Sequence, residues 1–417
     1  MPGTVVVVGA GIIGVASAYS LAKAGWNVTL LDRAAYGSGC SAGNCGYICP
    51  SHALPLATPG AIWYTLKTLF QANSPLKVRP GFLLRNLGWF LRFARRCNTR
   101  DMLHAAEGIQ ALLNSSRSLF DDLLAEEAIA CEWDTHGLLF VFQTAHAYQH
   151  YADTNRLLSD RFALPADVYD AQALTELEPA LKPGSVSGGY LYRGDAQVRP
   201  DVLLKSWRAV LLKLGVRIVE DCEATGFTST QQSATTLCTN QGEFPADAFV
   251  VATGAWTPKL NVELGCKVPI IPGKGYSYTV DRPALCPTYP MIWEEHRVAV
   301  SPFETGLRIG STMEFAGYDE TLNPSRLKLL RDAATMYLKE PGHEARLQNE
   351  WWGWRPMIHD GNPVIDRSPK YGNVWIAAGH GMLGLSMATG TGKLIAELLD
   401  GRSPHVDASA YSLKRFE

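Results

Sequence analysis

The sequence predicts an α/β fold built round a parallel sheet, and three stretches predict it. Thr4-Val5-Val6-Val7-Val8 is a β-branched run without polar alternation, the pattern of a strand buried on both faces. Gly9-Ala10-Gly11-Ile12-Ile13-Gly14 follows at once and opens an Ala-rich helical stretch to about Gly25. Residues 243–256 read as a strand running into a glycine turn at Thr253, Gly254 and Trp256. Residues 373–378 read as another strand, and Gly379-His380-Gly381-Met382-Leu383-Gly384 repeats the G-x-G-x-x-G spacing ahead of a helix to about Leu399. A chain of 417 residues with 47% hydrophobic content can bury a large core, divided into two or three lobes at ~100–200 residues each.

Each element has a chemical reading. In the first turn, glycines permit a tight bend, close approach of backbone to a pyrophosphate and contact between helix and strand, while the helix N-terminus supplies positive potential to phosphates. A second strand at 27–31 ends at Asp32, 18 residues after Gly14, where a carboxylate accepts from ribose hydroxyls. An acid there disfavours a 2′-phosphate, although Arg33 stands beside it. Strand, loop, helix and acid together indicate a dinucleotide site. Two glycine-rich turns meeting one long cofactor suit FAD better than NAD, because a helix N-terminus at the second turn stabilises the negative charge of a reduced flavin. Residues 201–214 and 216–221 read as a further helix and strand.

The charge balance excludes some partners. With 38 Lys and Arg against 40 Asp and Glu, the net charge of -2 gives no basic excess for nucleic acid. Residues 33–100 nevertheless contain nine basic residues and no acid. Within them Ile62, Trp63, Leu66, Leu69 and Phe70 fall on one helical face, and Arg85, Trp89, Arg92 and Arg96 on another. That describes an in-plane membrane contact over 60–100, against the alternative of helices packed on the protein. Nine cysteines without framework spacing point to a reducing compartment, the cytosol by default. The apolar stretch 4–22 lacks the basic lead of a signal peptide and carries loop-spaced glycines unsuited to a membrane span.

Three other motifs fail on context. Gly39-Cys40-Ser41-Ala42-Gly43 matches the G-x-S-x-G elbow of serine hydrolases, but the preceding strand ends near Asp32, nine residues too early. Cys40, Cys45 and Cys49 fit no common metal or iron-sulfur spacing, so no metal is expected. Gly390-Thr391-Gly392-Lys393 lacks the first glycine and the hydroxyl of a P-loop, with Met387 and Leu394 in those places, and reads as helix.

Taken in order, the glycine loop with Asp32, then Ser41-Ala42-Gly43-Asn44-Cys45-Gly46, Ala252-Thr253-Gly254-Ala255-Trp256, Pro272-Gly273-Lys274-Gly275-Tyr276-Ser277, Trp354-Arg355-Pro356-Met357 with Asp360-Gly361, and Gly379-His380-Gly381 resemble the FAD-dependent D-amino acid oxidase superfamily. Within it the resemblance is strongest to the bacterial D-amino acid dehydrogenases of small-subunit type, over residues 4–412. It implies a discontinuous FAD domain of the glutathione-reductase type, placed at 1–52, 197–264 and 352–417. A substrate domain built on a mostly antiparallel sheet is interleaved with it at 53–196 and 265–351. The resemblance places Gly9, Gly11, Ile12, Ile13 and Gly14 on the diphosphate and Asp32, Arg33 and Ala224 on adenosine. It places Ser41, Cys45, Gly46 and Tyr47 along the ribityl chain and ring, with Cys40, Asn44, Thr253, Gly254, Trp256 and Gly381 also at the cofactor. Met382, Leu383, Gly384 and Leu385 border the isoalloxazine. Cys40, Cys45 and Cys49 depart from the usual small or hydroxyl residues and leave covalent attachment of the flavin open.

Such a resemblance implies an amino acid substrate oxidised by hydride transfer to FAD, with electrons passed to a quinone or other respiratory acceptor. A carboxylate inside an apolar pocket calls for a fixed cation, and Arg355 among Trp351, Trp352 and Trp354 is the expected clamp. Tyr276 is the expected helper hydroxyl. His52 and His380 are the titratable groups nearest flavin-lining motifs, with a structural role as the alternative for each. The competing activities are cis-4-hydroxy-D-proline dehydrogenase, a glycine- or sarcosine-oxidase-like enzyme, and a non-catalytic flavoprotein subunit. The expected location is cytoplasmic, peripheral on the inner face of the membrane.

Overall fold

The computed structural model of the protein describes residues 3–63 and 74–417. Its first sheet has six strands in the order Val364–Arg367, Val374–Ala378, Ala248–Val251, Thr4–Val8, Asn27–Leu31 and Arg217–Val219. All neighbours are parallel except the first pair. The valine run fills the central position because both its faces are covered. Val5 and Val7 pack with helices Ile12–Lys23, Thr99–Glu127 and Ala388–Leu399, while Val6 and Val8 pack with Phe249, Val251 and Ile376 on the other side. This is the expected parallel centre of a Rossmann-like FAD domain.

The second sheet has nine strands and is mostly antiparallel, as the resemblance implied. Eight run in the order Leu347–Ile358, Ile270–Val280, Gly306–Phe315, Val298–Phe303, Met291–Trp293, Leu138–Phe142, Gly188–Tyr192 and Asp167–Asp170. Leu76–Val78 adds beside Gly306–Phe315 in parallel, and Met291–Trp293 is parallel to Leu138–Phe142. Alternation along the strands gives the sheet two different faces. Tyr276, Tyr278, Leu307 and Ile309 pack beneath helix Pro324–Tyr337 in an apolar core. Gly275, Ser277, Arg308 and Gly310 turn the other way, towards the chain segment that carries Ser41 to Tyr47.

Four expectations need correction. The boundary expected at 352 falls inside strand Leu347–Ile358, which pairs with Ile270–Val280 along its length because one continuous ladder satisfies both backbones. Helix Thr99–Glu127, expected in the substrate lobe, lays Ile109, Leu112, Leu113 and Phe120 into the core under the six-stranded sheet. Residues 243–256 do not form one strand. Gly242–Pro245 belongs to a small antiparallel sheet with Ala224–Thr230 and Ser233–Thr239, and the parallel strand starts only at Ala248. After the second glycine turn the helix begins at Ala388, four residues beyond Gly384.

In the cationic segment, Leu66, Leu69 and Phe70 lie outside the described residues. Trp89 is not on an exposed basic face. It is 8% exposed, donates its indole N–H to the Pro269 carbonyl at 2.9 Å and stacks on Phe93. Among the described residues no helix is long and apolar enough to cross a membrane, and none of the nine cysteines is paired.

Candidate active site

The glycine loop sits at the C-terminal end of the central strand, where parallel sheets bind ligands. Gly9 has φ +105°, and a Cβ there would lie 2.5 Å from the Ala252 carbonyl oxygen. A Cβ on Gly14 would lie 1.7 Å from the Gly9 carbonyl oxygen, so strand end and helix start approach as only glycine allows. Gly11 differs, since its added Cβ would meet only Ser41 Oγ, at 3.6 Å. The backbone is therefore open beside the first amides of the helix, as a diphosphate requires. Ile12 N donates to Ser41 Oγ at 3.0 Å.

Asp32 holds this cradle in shape. Its carboxylate accepts from Ala10 N at 2.6 Å and Ala34 N at 2.9 Å, while burial raises its pKa against those hydrogen bonds. Its carbonyl accepts from Cys222 N at 2.7 Å, which brings the start of strand Ala224–Thr230 alongside. Arg33 lies 4.0 Å from the Trp256 ring centre and 3.7 Å from Glu223. Thr253 bonds Thr257 at 3.0 Å, and nothing would meet a Cβ on Gly254, so that turn is also open. Open backbone at Gly11 and Gly254, helix amides and an acid at Asp32 fit the two ends of a dinucleotide.

From Cys40 to His52 the chain crosses the nine-stranded sheet almost strand by strand. A Cβ on Gly353 would lie 3.2 Å from Cys40 Cα. Ser277 Oγ donates to the Gly43 carbonyl at 3.0 Å, Arg308 to the carbonyls of Ala42 and Asn44 at 2.9 and 2.7 Å, and Ser301 to that of Cys45 at 2.5 Å. Tyr47 Oη lies within hydrogen-bond distance of the Met291 and Val300 carbonyls, and the His52 ring packs on Phe140 at 5.3 Å. Gly46, at φ +86°, takes its N–H to Asn44 Oδ1 at 2.7 Å.

At the start of this strap lies Arg355. Its guanidinium lies flat on Gly275, where a Cβ would be 2.4 Å from Cζ. It donates to the Thr312 carbonyl at 2.7 Å. That carbonyl is turned there by a bulge in which Ser311 and Thr312 have φ +100° and +50°. Thr312 Oγ1 is buried and has no protein partner. Among the described residues no carboxylate pairs with Arg355. Burial lowers its pKa from the ordinary arginine value, but an arginine keeps its proton. The nearby thiols do not neutralise it. Burial pushes Cys40 up to about 11 and raises Cys45 too, so both stay protonated at neutral pH. Trp351 shares this face, its ring covering Gly43 and Gly353.

The other proposed catalytic groups are elsewhere. Tyr276 is one residue from Gly275 and therefore on the opposite face of the sheet, 1% exposed, with its hydroxyl donated to Glu314 at 2.7 Å. It does not face Arg355. His380 pairs with Thr391 Oγ1 at 3.0 Å, and burial lowers its pKa to about 3. His52, lowered to about 4 by burial and Arg297, has an unpartnered Nδ1 and no contact with Arg355. Both imidazoles are neutral at pH 7. Around the second glycine turn, Gly381 N donates to the Pro356 carbonyl at 3.1 Å, which ties the turn to the residue after Arg355. Met382 packs with Met313 and Met357, while Leu383 and Leu385 join the core under the first sheet.

The pattern of FAD dependent oxidoreductases matches residues 4–398. The chain belongs to that family. A D-amino acid dehydrogenase of Cereibacter sphaeroides is 31% identical over 417 residues, covering 99% of this chain and 95% of that protein. The fold matches glycine oxidase from Geobacillus kaustophilus with a TM-score of 0.80 and 22% identity, over 99% of both chains. It matches L-proline dehydrogenase from P. horikoshii with a TM-score of 0.75 and 20% identity, over 100% of this chain and 98% of the other. This FAD-dependent oxidoreductase thus takes FAD as its cofactor.

Arg308 and Ser301 have no role in the sequence reading of the site, while Ser277 enters it only as the end of a motif and Trp351 only as one of three tryptophans near Arg355. Arg308 carried a faint signal, a lone cation inside the strand Gly306–Phe315, where only a buried partner set accounts for it.

Proposed function

We propose that this oxidoreductase oxidises D-amino acids, with the α-carboxylate held by Arg355. The observation that carries this is a fixed guanidinium without an acidic partner among the described residues, on the sheet face that meets the strap from Cys40 to His52. A planar fork suits two carboxylate oxygens. The 31% identical D-amino acid dehydrogenase supports the substrate class. Bound FAD supplies the two-electron acceptor for hydride leaving the α-carbon. Arg355 fixes the carboxylate end, Trp351 walls the space beside it, and no side-chain base is required once the amine is neutral. His52 and His380 take no part. The imine hydrolyses to a 2-oxo acid and ammonia, or stays cyclic for a proline analogue.

Electrons then pass to a quinone at a membrane surface. Leu84, Leu87 and Leu91 are 73%, 48% and 53% exposed along the paired helices Pro80–Arg85 and Leu87–Arg96. Exposed Arg85, Arg92 and Arg95 flank them. An apolar row rimmed by arginines matches an anionic bilayer. Co-sedimentation with anionic but not neutral vesicles, lost in Leu84→Ser/Leu91→Ser, is the expected result. Equal sedimentation of wild type and variant contradicts it.

The substrate is tested by an anaerobic visible spectrum before and after D-amino acids, L-amino acids, sarcosine and cis-4-hydroxy-D-proline. Bleaching by D-amino acids first is expected, with slow return of colour in air and fast return with a soluble quinone. Preferential bleaching by cis-4-hydroxy-D-proline or sarcosine, or fast return in air, replaces the proposal with those activities.

A further inference from the structure

Arg308 is 3% exposed and spends its donors on the strap from Cys40 to His52. One Nη reaches the carbonyls of both Ala42 and Asn44, Nε donates to Thr279 Oγ1 at 2.9 Å, and the other Nη meets Asp201 at 3.2 Å. Four consecutive carbonyls, from Ala42 to Cys45, are held by side chains of three adjacent strands.

The peptide geometry gives this a direction. All peptides here are trans, so each carbonyl and the next N–H point opposite ways. The carbonyls held by Ser277 and Ser301 belong to the peptides whose N–H groups are those of Asn44 and Gly46. Both amides have acceptors within the strap, the Ser41 carbonyl at 3.3 Å and Asn44 Oδ1 at 2.7 Å. The carbonyls held by Arg308 belong to the peptides of the Gly43 and Cys45 amides. Among the described residues neither amide has a protein acceptor. The arginine therefore orients the two peptides whose donors are left over, and they point away from the sheet.

We infer that Arg308 is a positioning residue for the cofactor, aligning the Gly43 and Cys45 amides as hydrogen-bond donors to bound FAD. It touches neither substrate nor reacting atoms. Donors fixed beside a flavin favour its reduced, more negative form, so Arg308 raises the reduction potential as well as tightening binding. The inference rests on FAD as cofactor and is independent of which amine is oxidised.

The test measures the FAD dissociation constant by flavin fluorescence and the midpoint potential against a reference dye. The variants are Arg308→Gln, Arg308→Lys, Ser277→Ala, Ser301→Ala and Arg326→Gln. Arg326 is a matched control, equally buried and bonded to the carbonyls of Ser74, Pro75 and Met313 away from the strap. Arg308→Gln is expected to weaken FAD binding at least tenfold and to cut the preference for reduced flavin about tenfold, about 30 mV for two electrons. Arg308→Lys, which keeps the charge, recovers part of both. The serine variants and Arg326→Gln lose thermal stability but keep the wild-type potential. Wild-type potential and affinity in Arg308→Gln overturn the inference, as do equal shifts in Ser277→Ala or Arg326→Gln. If Arg308→Gln does not fold, a potential in Arg308→Lys equal to wild type overturns it.

Discussion

Gly275→Ala is the sharpest perturbation of the proposed clamp, because it adds one methyl group and removes no charge. That Cβ would lie 2.4, 2.5 and 2.7 Å from Cζ, Nη2 and Nη1 of Arg355. Ordinary contact begins at about 3.5 Å, so the guanidinium must retreat about 1 Å. Gly275 lies inside a paired strand with no left-handed φ, so alanine fits its backbone and the three atoms nearest the new Cβ all belong to the arginine. A misplacement of that size costs about a hundredfold in rate. Rapid mixing with a D-amino acid under anaerobic conditions should therefore show kcat/KM for flavin reduction down about a hundredfold, while the FAD spectrum and melting temperature change little. Unchanged reduction kinetics with FAD bound would refute the placement of substrate against Arg355.

Other consequences follow from the same geometry. Arg355→Met should cost about 4 kcal/mol of transition-state stabilisation, roughly a thousandfold in kcat/KM, and Arg355→Lys less, since one ammonium cannot hold both oxygens. Tyr276→Phe should leave kcat/KM within about threefold and destabilise the fold by about 1–3 kcal/mol, because buried Glu314 loses its donor; urea unfolding and steady-state kinetics separate the two. His52 and His380 titrate at about 4 and about 3 when folded, below the ~6.5 of an unfolded histidine. The unfolded chain therefore takes protons first, and their contribution to stability, complete above pH ~6.5, falls as the pH drops towards 4. Asp195, raised to about 7 by burial, slopes the opposite way, so the comparison must be with single variants. His380→Gln should flatten part of the loss of urea midpoint between pH 6.5 and 5, and neither His380→Gln nor His52→Gln should remove a limb of the kcat profile between pH 6 and 8.

What could be read in the sequence was local. Gly9 and Gly14 announce themselves because backbone contacts at 2.5 and 1.7 Å forbid a side chain, and the valine strand because both of its faces are buried. Arg355 stood out as a cation among tryptophans. Tyr276 was misplaced for a non-local reason: a shift of one residue along a strand reverses the face, and the position of Tyr276 relative to Arg355 follows only from the pairing of Gly273 with Arg355. Trp89 suited an exposed interface by composition but found a buried acceptor in the Pro269 carbonyl, 180 residues away. Arg308 was invisible as a site residue because its partners lie on the strap, more than 260 residues earlier in the chain.

The most direct test compares the rate of flavin reduction by D-alanine with that by its amide, D-alaninamide, in wild type and in Arg355→Met. A carboxylate bound by Arg355 predicts fast reduction by the acid, slow reduction by the amide, and loss of that difference in the variant. Equal rates for acid and amide in the wild type, or an undiminished preference for the acid without Arg355, would contradict it.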